Sequence, residues 1–268
     1  MKPDKLVPDS LAILGIPFDD NSSFLKGTAG APAEIRRVLH SGAGNWYTEG
    51  LLNLENHPQL TDMGDLKVVS YPKDISSGIT RILEKESKVI SIGGDHSITF
   101  PIIQAYANCY PDLNILHIDA HPDLYPEFEG NVYSHACPFS RILEAGLVKR
   151  LVQVGIRART QQQQEQAEKF NVEQIDMNSY QPGLTLNFDG PLYISLDMDG
   201  IDPAFAPAVS HPEPGGLTVR ELLDILNSVK APVVGSDIVE YNPSRDTHGI
   251  TAAVAVKLLK EIAGKMLI

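Results

Sequence analysis

Short apolar runs recur along this chain. Between them lie stretches in which apolar residues return at roughly every third or fourth position, the helical period. Runs this short, bounded by turn residues, read as buried strands. The pattern predicts strands at Leu11–Ile16, Lys88–Ile92, Asn114–Asp119, Leu151–Ile156, Pro191–Asp197 and Val233–Ile238, with weaker candidates at Leu66–Val69 and Asn171–Ile175. It predicts helices at Pro32–Leu39, Ile75–Glu86, Ile98–Asn108, Ser140–Ala145, Thr160–Phe170, Thr218–Val229 and Thr247–Ile262. Strands that are apolar on both faces and alternate with helices make a parallel sheet covered on both sides. No linker, repeat or compositional break divides the sequence, so residues 1–268 read as one three-layer α/β/α domain.

The polar residues fall at particular points of this pattern. In open parallel sheets, sites form beyond the carboxyl ends of the strands. Gly93-Gly94-Asp95-His96-Ser97 follows the strand ending at Ile92. Asp119-Ala120-His121-Pro122-Asp123 ends the next strand, Asp197-Met198-Asp199 ends a later one, and Glu240 follows Val239. Side chains two apart in extended chain point the same way, so Asp119, His121 and Asp123 converge. Alone, that run is also compatible with a strand end and a solvated Asp-Pro turn. Four strands delivering acids or imidazoles at one edge argue against a surface accident.

His96, Asp119, His121, Asp123, Asp197 and Asp199 together supply two imidazoles and four carboxylates. That is too much negative charge for one ion and suits two divalent cations with shared aspartates. The set lacks thiolate, which argues against structural zinc, and its oxygen-rich character favours Mn²⁺. Two ions a few ångströms apart can lower the pKa of a shared water and present hydroxide as nucleophile. His135, on the following loop, fits a general acid or proton shuttle. Glu240 fits a carboxylate partner for a guanidinium, or else a strand-end cap. Asp202 opens an Asp-Pro turn and reads as an orienting residue behind the ligands. His211 and Glu213 lie on a Pro/Gly loop that either touches substrate or merely shapes the rim.

These runs resemble the ureohydrolase superfamily, the arginases and agmatinases. GGDHS at 93–97, DAHPD at 119–123 and SLDMDGIDPAFAP at 195–207 match its three diagnostic motifs in order and spacing. NSSFLKG at 21–27, EFEGNVYSHA at 127–136, VSHPEPGGLT at 209–218 and VEYNPSRD at 239–246 look most like plant-type arginases. The resemblance implies an eight-stranded, mainly parallel sheet and a binuclear Mn²⁺ cluster. It implies His96 and Asp123 on one ion, His121 and Asp199 on the other, and Asp119 and Asp197 bridging. It also implies His135 as proton shuttle and Glu240 as guanidinium partner. The implied reaction is hydrolysis of arginine to ornithine and urea, with agmatine and then guanidinobutyrate as alternative substrates. Asn131, Ser134, Asn21 and His211 are candidate contacts for the substrate's far end, and Glu213 is grouped with them. Two other classes stay open: a metal-binding relative without catalysis, and a deacetylase-like amide hydrolase holding one zinc. The family implies a homo-oligomer, trimer or hexamer.

Composition narrows the partners. The net charge of −12 offers no basic stripe for nucleic acid or an anionic membrane. No run approaches the roughly 20 apolar residues of a membrane span. Cys109 and Cys137 lack CxxC spacing and read as free thiols. The opening MKPDKLVPDS, with acids and prolines before a short apolar run, does not read as a signal peptide. The plant-type extension is missing here, and the expectation is a cytoplasmic protein.

Overall fold

The computed structural model describes residues 6–268; the opening MKPDK, part of the argument against a signal peptide, lies outside them. Eight strands form one sheet: β1 (Leu11–Gly15), β2 (Leu60–Asp65), β3 (Lys88–Ile92), β4 (Asn114–Ile118), β5 (Arg150–Ile156), β6 (Glu173–Asp176), β7 (Leu192–Asp197) and β8 (Val233–Val239). Their order across the sheet is β2-β1-β3-β8-β7-β4-β5-β6, and every pairing is parallel. Helices α1 (Ala31–Leu39), α6 (Val219–Ser228) and α7 (Ile250–Leu267) pack on one face, with Ile90, Ile92, Leu116, Ile118 and Ile194 beneath them. Helices α2 (Lys73–Leu83), α3 (Thr99–Ala107) and α4 (Pro138–Glu144) cover the other, over Val89, Ile115, Leu151 and Tyr193. The short helix α5 (Gln161–Lys169) leans on that second face through Ala167.

Local signals explain most boundaries. Thr160 and Thr218 each accept a hydrogen bond from the backbone N–H three residues on. Gln163 and Glu221 return the bond, making a capping box that starts α5 and another that starts α6. The central strands are buried from end to end, as their unbroken apolar runs require.

One expected strand is displaced. Leu66–Val69 is not a strand; the edge strand is β2, Leu60–Asp65, whose sequence LTDMGD lacks an apolar run. It pairs only with β1. Its two carboxylates share the single guanidinium of Arg36 from α1, which bonds Asp62 at 2.8 Å and Asp65 at 2.5 Å. An edge strand with one partner and charged side chains blunts further pairing, so hydrophobic periodicity does not reveal it.

Candidate metal centre and substrate cavity

The central strands β3, β8, β7 and β4 lie side by side. Being parallel, they open their carboxyl ends on a single edge, where the six candidate ligands gather. Gly93 and Gly94 turn the chain there with φ of 81° and 92°. A Cβ on Gly94 would stand 2.7 Å from the Phe18 carbonyl oxygen and 2.8 Å from that of Ile16, so the turn that delivers His96 requires glycine. Asp123 (φ 50°) and Glu240 (φ 63°) hold left-handed backbone without being glycine, a strain that concentrates at functional sites.

His96 Nδ1 lies 3.1 Å from a carboxylate oxygen of each of Asp119, Asp123 and Asp197. His121 Nδ1 lies 3.1 Å from Asp199 and 3.5 Å from Asp119. The structure thus brings together all six residues, with Asp119 common to both halves. Five are buried and His121 is partly exposed.

The hydrogen bonds behind His96 fix its tautomer. Its Nε2 stands 3.0 Å from Ser195 Oγ, and that hydroxyl donates to Asp237 Oδ1 at 2.8 Å. A hydroxyl whose proton is given to a carboxylate can only accept from the ring, so His96 carries its proton on Nε2. Its Nδ1 lone pair then faces three carboxylate oxygens, and Nδ1 has no hydrogen-bond partner. Buried acceptors facing one another are costly without a cation between them. Burial opposes a charged His96, yet the surrounding aspartates still raise its pKa well above the usual imidazole value, so without a metal a proton on Nδ1 takes the place of the cation. Burial first, and then the Asp199 and Asp119 charges, push Asp197 well above the carboxylate range. Burial also lifts Asp199, with Asp119 adding to it and His121 opposing, to about 6. The site demands positive charge, and this donor set fits a divalent metal.

His135 and Glu240 adjoin the cluster. Glu240 Oε1 accepts from His135 Nδ1 at 2.8 Å and from the His96 backbone N–H at 2.9 Å. His135 Nε2 is 2.8 Å from Ser23 Oγ. Burial favours the neutral ring, but the adjacent Glu240 carboxylate overcomes it and raises the His135 pKa to about 9. A cavity of about 380 Å³ stands over these groups. His121, Asp123, Asp197, Asp199, His135 and Glu240 form its floor, and Ser23, Arg159, Thr160, Gln163 and His211 contribute to its walls.

Among the expected far-end contacts, only His211 lines this cavity, its ring 5.2 Å from that of His135. Asn131, Ser134, Asn21 and Glu213 do not. Asn131 ties two loops instead, donating to Asn21 Oδ1 at 3.2 Å and accepting from the Tyr133 N–H at 2.8 Å. Ser134 is 2% exposed and accepts from the Ala136 N–H. Glu213 offers its backbone carbonyl to Arg157, at 2.6 and 3.0 Å. Asp202 grips the same loop through the Gly215 and Gly216 N–H groups. Arg157 also binds the Asp199 carbonyl at 2.7 Å, linking that loop to the cluster. Arg159 and Gln163 escaped the sequence pattern, although both follow the carboxyl end of β5, where the same topological rule applies. His117 escaped it as well, despite sharing the spacing of Asp119 and His121.

Residues 9–264 match the model of the arginase family. The chain belongs to the arginase family. Members of this family are metal-dependent and act on small guanidino compounds. Here two groups have ligand atoms close enough to hold an ion: His96, His117 and Asp119, and Asp119, His121 and Asp199. The chain is 44% identical to the mitochondrial arginase 1 of Arabidopsis thaliana, over 96% of this chain and 81% of that protein. It superposes on the structure of an arginase from Medicago truncatula with a TM-score of 0.91 and 42% identity, covering 96% of this chain and 87% of the other. An N(1)-aminopropylagmatine ureohydrolase of Thermus thermophilus is 36% identical over 92% of this chain and 87% of that protein. The likeness to plant-type arginases seen in the motifs therefore extends along the chain, and the expected eight-stranded arginase-like α/β fold is present. The cytoplasmic expectation is overturned, because the relatives from Arabidopsis, rice and Medicago are named as mitochondrial, one of them as chloroplastic or mitochondrial. Composition and a short apolar start carry no information about an organellar address. Among the described residues no helix is long and apolar enough to cross a membrane.

Proposed function

We propose that this chain hydrolyses arginine to ornithine and urea, using two Mn²⁺ ions per subunit. The observation that carries the reading is the match to plant arginases at 42–44% identity along nearly the whole chain. The agmatine-type relative matches less closely, at 36%. His96 and Asp123 would serve one ion and His121 and Asp199 the other, with Asp119 and Asp197 shared. Bound there, such a pair lowers the pKa of a shared water toward neutrality, which supplies the nucleophile.

The chain's own groups do the rest. The Oε1 of Glu240 is engaged by His96 and His135, and among the described residues nothing bonds its Oε2. That oxygen receives a guanidinium N–H in a charge-assisted bond and holds the guanidino carbon over the floor. The departing amine must gain a proton. Protonated His135 supplies it from Nε2 through Ser23 Oγ, which borders the cavity. Arg159, on the wall, presents a guanidinium to the substrate's α-carboxylate, a group that agmatine lacks. A homo-oligomer, trimer or hexamer, belongs to the same proposal and is read by light scattering.

The test is urea release from arginine, agmatine and guanidinobutyrate, each with added Mn²⁺ and with bound metal counted. Arginine should give the largest kcat/KM, with two equivalents of metal. Faster turnover of agmatine would replace the arginine reading, and one tightly bound zinc would favour an amide hydrolase. Bound Mn²⁺ with no urea from any substrate would mark a non-catalytic relative.

A further inference from the structure

His117 is fully buried on β4, two residues before Asp119 and on the same face. It neighbours the cluster closely enough to be counted among its ligands. Both of its ring nitrogens are already engaged. Nε2 is 2.7 Å from Asp119 Oδ2, and Nδ1 is 2.9 Å from Gln153 Nε2. Gln153 stands directly opposite His117 on β5, and Gln174 directly opposite Gln153 on β6. Gln174 Nε2 donates to Gln153 Oε1 at 2.7 Å.

The orientation of the Gln153 amide does not depend on telling its nitrogen from its oxygen. The group that meets His117 also lies 2.7 Å from the Pro122 carbonyl oxygen. A carbonyl can only accept, so the Gln153 NH₂ must face Pro122 and His117. His117 Nδ1 is therefore an acceptor, and the ring proton sits on Nε2, directed at Asp119. Asp119 Oδ1 takes the His121 backbone N–H at 2.6 Å. Each carboxylate oxygen of Asp119 thus has one fixed donor, and the lone pairs that remain are aimed together at the cluster.

We propose that His117 is a positioning residue: the in-register row Gln174–Gln153–His117 sets its tautomer so that it donates to Asp119 and presents that carboxylate to both metal ions. The inference rests on the reading of Asp119 as a shared ligand. Partners that orient a metal ligand are worth about 10- to 100-fold in metal affinity. Phe139 stacks on the His117 ring at 3.9 Å, so an aromatic replacement keeps the packing while removing the donor. Glutamine places an amide nitrogen about where imidazole has Nε2.

The experiment measures Mn²⁺ affinity and stoichiometry on metal-stripped protein by competition with a chelating indicator, with the melting temperature of the apo form alongside. His117→Phe should weaken Mn²⁺ binding by about 10- to 100-fold while still taking two equivalents at saturation. His117→Gln should recover most of that loss, and Gln153→Leu should reproduce part of it. Unchanged affinity in His117→Phe overturns the proposal. So does the loss of one equivalent at saturating metal, which would make His117 a ligand, or an equal loss in His117→Gln and His117→Phe together with a collapsed apo melting temperature, which would make its role structural. A native chain that binds no Mn²⁺ would overturn the cluster itself, a result distinct from each of these.

Discussion

Replacing Ser195 with alanine removes one oxygen atom from the most buried part of the site. Ser195 is fully buried and does two things at once: it accepts from His96 Nε2 at 3.0 Å and donates to Asp237 Oδ1 at 2.8 Å. Asp237 would keep its bonds from Thr99 Oγ1 and the Tyr193 hydroxyl, so it loses one bond to a charged group, worth about 1.5–3 kcal/mol. The His96 Nε2–H would be left buried without an acceptor, a further cost of about 1–3 kcal/mol. Allowing for relaxation, unfolding of the metal-free protein should be about 3 kcal/mol easier. With a slope of about 2–3 kcal/mol/M in urea, the midpoint should fall by roughly 1 M. Freed from its acceptor, His96 should also lose its preference for the tautomer that turns Nδ1 toward Asp119, Asp123 and Asp197, and Mn²⁺ affinity should fall by about 10-fold or more. Urea unfolding followed by circular dichroism, paired with chelator competition, reads both effects. A midpoint within about 0.3 M of the parent, with metal affinity intact, would refute the tautomer argument.

Three further outcomes are expected. His135→Asn should keep its bound metal while turnover falls by about 10²- to 10⁴-fold, the usual worth of a positioned acid; steady-state urea assays check it, and unchanged rates would remove His135 from the reaction. Arg159 is partly exposed and shares its guanidinium with Asp176 at 2.9 Å. Its bond to a substrate carboxylate is therefore discounted to about 1 kcal/mol, so Arg159→Ala should raise KM for arginine about fivefold and leave agmatine unaffected. Finally, Mn²⁺ at a hundred times its dissociation constant should add about 2.7 kcal/mol per site to the stripped protein. For a chain of this size that is a rise of roughly 5–10 °C in Tm per site, read by thermal scans with and without chelator.

The sheet's interior was legible because buried parallel strands carry unbroken apolar runs: β3 was placed at Lys88–Ile92, as observed. The edge strand β2 was not, because with one neighbour it needs no apolar run and its Asp62 and Asp65 answer to Arg36 instead. The cluster was legible because acids and imidazoles at the ends of four strands, three of them at alternate positions after β4, have few other reasons to gather. Distal contacts were harder. Asn131 and Ser134 have the right chemistry for a substrate carboxylate, but Asn131 bonds Asn21 on a second loop and the Tyr133 N–H, and Ser134 is buried and accepts from the Ala136 N–H. Arg159 and Gln163 sit at a strand end like the ligands, yet their residue types are common on any helix start. His117 was hidden by its setting, since one histidine in an apolar strand reads as core.

Polar side chains at in-register positions of five adjacent strands, buried on all but the edge strand β6, explain why the ligands are held so closely. Asp237, Ser195, His117, Gln153 and Gln174 stand opposite one another on β8, β7, β4, β5 and β6, just below the cluster. Such groups are costly inside a sheet unless each is bonded, and each has a partner. Successive side chains of a strand alternate between faces, so a slip of one residue moves a whole set to the wrong side. If β4 slipped by one position against β7, Ile118 would stand opposite Ser195, and both His117 and Asp119 would turn toward the helices of the other face. The polar row would lose its bonds and the cluster its shared carboxylate in the same step. Strand register and ligand geometry are therefore specified by one set of contacts, which leaves the loops above free to vary with the substrate.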